Sequence, residues 1–67
     1  MSLAKVIEVI SEGNTIEAAV ENAVKQASKT VHNIKSVYAE NIYAVVEGEN
    51  VTKYRINAKV TFVLEKD

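Results

Sequence analysis

The sequence predicts an α+β fold in the order strand–helix–strand–strand, with one helix covering a three-stranded antiparallel sheet. Three patterns carry that expectation. From Val51 to Glu65, Tyr54, Ile56, Ala58, Val60, Phe62 and Leu64 alternate with Lys53, Arg55, Asn57, Lys59 and Thr61, the period of a strand with one buried face. From Ile16, the residues Ile16, Ala19, Val20, Ala23, Val24, Ala27 and Val31 recur at steps of three and four, the stripe of an amphipathic helix. Between two strand-like runs, Glu47-Gly48-Glu49-Asn50 reads as a hairpin turn, with Gly48 in the left-handed region.

The first strand is predicted over Ala4–Ile10, rich in valine and isoleucine. Val6, Glu8 and Ile10 share one face and Lys5, Ile7 and Val9 the other, so it is apolar on both sides and expects cover on both. Ser11 to Thr15 reads as the connector. Asn14 or Thr15 caps the helix that follows, and Glu17 three residues after Asn14 resembles a capping box. The helix is predicted over about Thr15–His32, with Lys29 and His32 suiting the negative end of its dipole. Its apolar stripe is mostly alanine and valine, small enough to let the helix lie close on a sheet.

Ile34–Val46 reads as the second strand. Simple alternation places Ile34, Ser36, Tyr38, Glu40, Ile42, Ala44 and Val46 on one face, and Lys35, Val37, Ala39, Asn41, Tyr43 and Val45 on the other. A right-handed crossover sets the second strand parallel to the first. The hairpin sets the third antiparallel to the second. With the best-patterned strand central, the sheet order is 1-3-2 and fully antiparallel. The helix covers one sheet face; the other carries Ile34, Tyr38, Ile42 and Val46 beside Lys53, Arg55 and Asn57, a half-apolar open face suited to burial against other subunits.

Residues 1–67 form one domain at most. A chain this short buries only ~60% of the surface it exposes when unfolded. Small domains compensate with disulfides, metals or oligomerisation. With no cysteine and one histidine, oligomerisation is the remedy left. A formal net charge of −1 gives no reason to expect nucleic acid or an anionic membrane as partner, and no apolar run is long enough to span a bilayer. The cysteine-free composition is compatible with the cytoplasm.

No phosphate-binding loop, nucleophile elbow or metal motif occurs, so an enzyme is not expected. His32 has no ligand partner at a useful spacing and reads as a helix-terminal residue. Glu47 and Glu49 read as a solvated turn, Tyr54 and Phe62 as core, and Tyr43 as lying near the helix or the sheet end.

Lys5-Val6-Ile7-Glu8, Ala27 to Ile34 (ASKTVHNI) and Tyr54 to Leu64 (YRINAKVTFVL) together resemble the dodecin family over Ala4–Glu65. That resemblance implies a β-α-β-β protomer, assembly as a hollow homododecamer, and binding of flavin (FMN or riboflavin) for storage or buffering rather than catalysis. It also implies a site. The family's flavin-stacking tryptophan falls on Ser36 when counted from Asn33, and its ring-bonding glutamine falls on Arg55 when counted from Tyr54. This chain has no tryptophan, and serine has no π-face, so any flavin is expected to bind less tightly than where tryptophan stacks. Arginine donates hydrogen bonds but does not accept them. Arg55 therefore reads either as a donor to a ring carbonyl or phosphate, or as one half of an intersubunit ion pair. Tyr38, two residues from Ser36, is either a substitute stacking ring or an interface tyrosine with its hydroxyl in water.

Overall fold

The computed structural model describes residues 3–64. Strand β1 spans Leu3–Gly13, helix α1 Ile16–Ala27, strand β2 Ile34–Glu47 and strand β3 Asn50–Leu64. The sheet order is β1-β3-β2, and both pairings are antiparallel. This is the expected fold with the best-patterned strand at its centre. Glu65, the last residue of the expected third strand, lies outside the described residues.

The core is the contact between α1 and the inner face of β3. Ala19, Ala23, Ile56, Ala58 and Val60 are fully buried, with Val9, Val20, Val37 and Ala39 packed around them. Alanine at three buried positions spaced four apart (Ala19, Ala23, Ala27) lets the helix lie close on the sheet. Gly13 makes the same approach possible at the helix start. A Cβ there would stand 2.5 Å from the Ala19 backbone nitrogen, where no side chain fits. Ser11, also facing the helix, donates through its hydroxyl to the Ala19 carbonyl at 2.6 Å. Phe62 is buried as expected. Tyr54 is not core: it lies on the helix side but only half-buried, beside Asn14–Glu17.

Thr15, rather than Asn14, caps the helix; its Oγ1 accepts from the Ala18 N–H at 2.9 Å. The helix is shorter than its apolar stripe. It ends at Ala27 because Ser28 and Thr30 turn their hydroxyls back to the Lys25 and Ala27 carbonyls, satisfying the helix end by side chain. The Thr30 and Val31 N–H groups both reach the Ala27 carbonyl, and Asn33 takes a left-handed φ of 62°. Lys29 and His32 therefore sit in the exposed turn, and Lys25 is the basic residue of the last helical turn.

Strand β1 runs three residues further than expected, so Ser11, Glu12 and Gly13 are strand and not connector. Gly48, with φ 65°, makes the hairpin turn as expected. Beyond the Gly13–Tyr54 register pair, the β2–β3 hairpin continues without β1 beside it. The protomer is accordingly long, 54 × 18 × 14 Å. Its radius of gyration is 13.9 Å, where a compact chain of this length has about 11 Å.

Candidate ligand site

The sheet face away from α1 is built from transverse rows, each taking one residue from β1, β3 and β2. In order they are Val6–Thr61–Ser36, Glu8–Lys59–Tyr38, Ile10–Asn57–Glu40 and Glu12–Arg55–Tyr43. Lys53 and Val45 continue the face past the end of β1. Ile10 is 69% exposed, Tyr38 64% and Val6 56%. Large apolar side chains grouped this openly on one sheet face form the kind of patch that interaction surfaces carry.

Of the three register shifts between β2 and β3, the first two decide which residues from Ile34 to Tyr43 reach this face. Between Ile34 and Ser36 the register slips by one, so Ile34 pairs with Phe62 on the helix side, while Ser36 pairs with Thr61 on the open side. Ile34 is thus not an open-face residue. Between Glu40 and Tyr43, Asn41 and Ile42 together face one β3 residue, with Asn41 at φ 54°. This second bulge turns Tyr43 outward, against the expectation from simple alternation, and sets it across from Arg55.

The expected site residues Ser36, Tyr38 and Arg55 all lie on the open face. They are not brought together within one protomer. Ser36 and Tyr38 are one row apart. Arg55 is six β3 residues from Thr61, the partner of Ser36, and so about 20 Å from the Ser36 row at strand rise. One planar ring cannot touch both ends within a single protomer.

Arg55 instead meets Glu12, Tyr43 and, through Glu12, Lys53. Its Nε donates to Glu12 Oε2 at 2.6 Å, its Nη2 pairs with the same oxygen, and its Nη1 donates to the Tyr43 hydroxyl at 3.3 Å. The guanidinium carbon stands 5.6 Å from the Tyr43 ring centroid, a cation–π contact. Lys53 Nζ reaches Glu12 Oε1 at 2.9 Å. Donation by Lys53 and then by Arg55 holds the Glu12 carboxyl below its ordinary range. The Tyr43 hydroxyl, followed by Glu12, raises Arg55. A second ion pair joins Lys59 Nζ to Glu40 Oε1 at 3.0 Å and raises Lys59.

Sequence reasoning places Lys53 on the open face without making it a site residue, and it misses Glu12 and Tyr43. Glu12 was hidden in a supposed connector and Tyr43 by the bulge. The available signal was Glu40-Asn41, a polar interruption containing a residue that tolerates left-handed backbone, inside an apolar strand.

The dodecin family model matches residues 3–65, all but the two ends. The chain belongs to the dodecin family. No curated protein sequence matches it. Among solved structures, a Thermus thermophilus protein superposes with a TM-score of 0.89 at 24% identity, covering 100% of both chains. The Streptomyces coelicolor dodecin gives 0.86 at 25%, covering 98% of this chain and 96% of its own. A tryptophan-to-phenylalanine variant of the T. thermophilus dodecin gives 0.87 at 24%, covering 98% of this chain and 100% of its own. That relative has a tryptophan to replace; this dodecin has none. Among its described residues no helix is long and apolar enough to cross a membrane, and no cluster of three or more His, Cys, Asp or Glu could hold a metal ion.

Proposed function

We propose that this dodecin is a non-catalytic, cytoplasmic homododecamer that binds and buffers flavin, FMN or riboflavin. The open face carries the reading. It is half-apolar, it belongs to a protomer too elongated to be compact alone, and its two expected ligand-contacting ends are too far apart for one ring. All three observations are met if the face is covered by other copies, with Ser36 and Tyr38 of one protomer meeting the ring near Arg55 of another. Tyr38 supplies the stacking surface that Ser36 lacks, and Arg55 donates to a ring carbonyl.

Titrating FMN or riboflavin with the protein and following flavin fluorescence tests the ligand. Quenching at micromolar protein is expected, and its absence rejects flavin. Light scattering tests the assembly: twelve copies of 7.4 kDa give about 89 kDa, and a monomer at micromolar concentration rejects it.

One observation favours a second reading, a flavin-free shell of the same fold that takes another ligand or an ion. Ser36 stands exposed with no π-surface at the position where the family stacks its ligand. A preparation of dodecamer mass that neither carries nor binds flavin would establish it.

A further inference from the structure

The second and third register shifts between β2 and β3 cancel one another. The second gives β2 an extra residue between Glu40 and Tyr43; the third gives β3 one, Thr52, opposite the step from Val45 to Val46. The Glu40–Asn57 pair before them and the Val46–Val51 and Glu47–Asn50 pairs after them therefore stand in one register, as in an unbroken ladder. Tyr43, Ala44 and Val45 alone are paired out of it, each with the β3 residue one along from its partner in that ladder. An unbroken ladder sets Ile42 against Arg55, Tyr43 against Tyr54 and Val45 against Thr52, and it reverses the faces of the β2 residues.

Several features accommodate that second register. The Thr52 hydroxyl already donates to the carbonyl of Val45, its partner there, at 3.3 Å. On the helix side, Tyr54 faces only Ala44 and lines an open cleft of about 420 Å³ with Asn14 to Glu17, space for another ring. The hairpin tip keeps its pairs and turns over. It lies beyond the end of β1, and Val46 and Val51 are both exposed, so turning over disturbs no buried contact. Two features hold the present register. Asn41 accepts a left-handed φ of 54°, which asparagine tolerates and branched residues resist. Tyr43 meets Arg55 through its hydroxyl at 3.3 Å and its ring at 5.6 Å.

We propose that the β2–β3 hairpin is a two-register switch with Asn41 as its selector. In one register Tyr43 stands on the outer face. In the other Ile42 takes that place, and the Tyr43 ring turns into the cleft beside Tyr54. Whatever covers the outer face and touches Tyr43 draws the hairpin to the first register; an apolar contact to Ile42 draws it to the second. The switch is a property of the backbone pairing and does not depend on which ligand the face takes.

The test labels the full chain with 3-fluorotyrosine. It has three tyrosines, whose fluorine signals are assigned with Tyr38→Phe, Tyr43→Phe and Tyr54→Phe. Tyr43 and Tyr54 lie on opposite sheet faces in the first register. In the second they are directly opposed, with Cβ atoms about 5 Å apart, and give a fluorine–fluorine Overhauser contact. Asn41→Val, which resists positive φ, is expected to strengthen that contact severalfold over the wild type. Asn41→Gly, at ease there, weakens it. Deleting Asn41 and Thr52 together leaves an unbroken ladder that keeps Tyr43 opposite Arg55, so the contact disappears. Circular dichroism confirms that each variant is folded; should Asn41→Val not fold, the milder Asn41→Ala is read in the same way. A Tyr43–Tyr54 contact no stronger in the folded valine or alanine variant than in Asn41→Gly overturns the inference, and so does a contact that persists in the double deletion.

Discussion

The two faces of the sheet use the same three strands to opposite ends. The face toward α1 is closed by small and branched apolar side chains: Ala19, Ala23 and Ala27 of the helix against Ile56, Ala58 and Val60 of β3. Its centre is dry and uncharged, while exposed Lys5 and half-buried Tyr54 stand at its margins. The face away from α1 alternates exposed apolar residues with two ionic clusters, Glu12–Arg55–Lys53 and Glu40–Lys59. The inner face stabilises the protomer by burial. The outer face buries little within the chain and leaves Val6, Ile10 and Tyr38 exposed. Two of the three register shifts put their extra residue in β2, the edge strand that feeds the outer face, where it re-aims side chains without disturbing the core.

The largest way to break this division is Ile56→Ala. Ile56 is fully buried beneath the helix, and removing three carbons from such a site costs about 2–5 kcal/mol. Denaturant unfolding would show a midpoint shift close to the whole margin of a domain this small. A loss under about 1 kcal/mol would mean that the helix–sheet contact is not the core. Gly13→Ala strikes the same contact from the other side. The added methyl meets the Ala18 and Ala19 backbone, and overpacking costs about 1–3 kcal/mol. An unchanged midpoint there would show that the helix start can move freely.

On the outer face, Ile10→Lys should leave the helix and strand signature in circular dichroism intact where the protomer persists, yet lower the assembly mass in sedimentation. A side chain this exposed contributes roughly 1.5–3 kcal/mol only when a partner buries it. An unchanged mass would place Ile10 outside any interface. The next effect is a gain. Ser36→Trp puts a stacking ring at the open-face position to which the proposed flavin site assigns the ligand, worth about 0.5–1.5 kcal/mol, or up to roughly tenfold in flavin affinity. Flavin quenching that is no tighter in the variant would show that the Ser36 position does not meet the ring.

How legible each face was in the sequence follows from the same contrast. The inner face was readable because burial enforces periodicity: Tyr54 to Leu64 alternate without a break, and the alanine stripe of α1 repeats at three and four. Element order, sheet order and the Gly48 turn followed from those patterns. The outer face was misread wherever alternation failed. Simple parity put Ile34 outside and Tyr43 inside, and the two bulges reversed both. Glu12 was lost because a glycine one residue on suggested a connector, whereas Gly13 is there for a close approach to α1. Side chains that face solvent or partners impose no period, so chain pattern alone carries less information about them.

The smallest effect separates the faces by pH. The buried cluster of Ala19, Ala23, Ile56 and Ala58 contains no titratable group, so the deficit of Ile56→Ala should be the same at mildly acidic and neutral pH. Glu12 behaves otherwise. Lys53 and Arg55 hold its folded-state pKa below the ordinary 4.5, so the unfolded chain takes up the proton first. The stabilisation from Glu12 is therefore fully present above pH 4.5 and is lost as pH falls through the lowered folded value. Lys59, raised above 10.5 by Glu40, is the mirror case: its contribution is present below pH 10.5 and disappears as pH rises through the raised value. Both clusters are solvent-exposed, so each effect is small and shrinks with added salt. Denaturation midpoints of the wild type and Glu12→Gln, measured from neutral pH down past 4.5, should converge at the acid end. A constant gap throughout would mean that Glu12 acts through packing rather than charge, and that Arg55 and Tyr43 keep their positions without it.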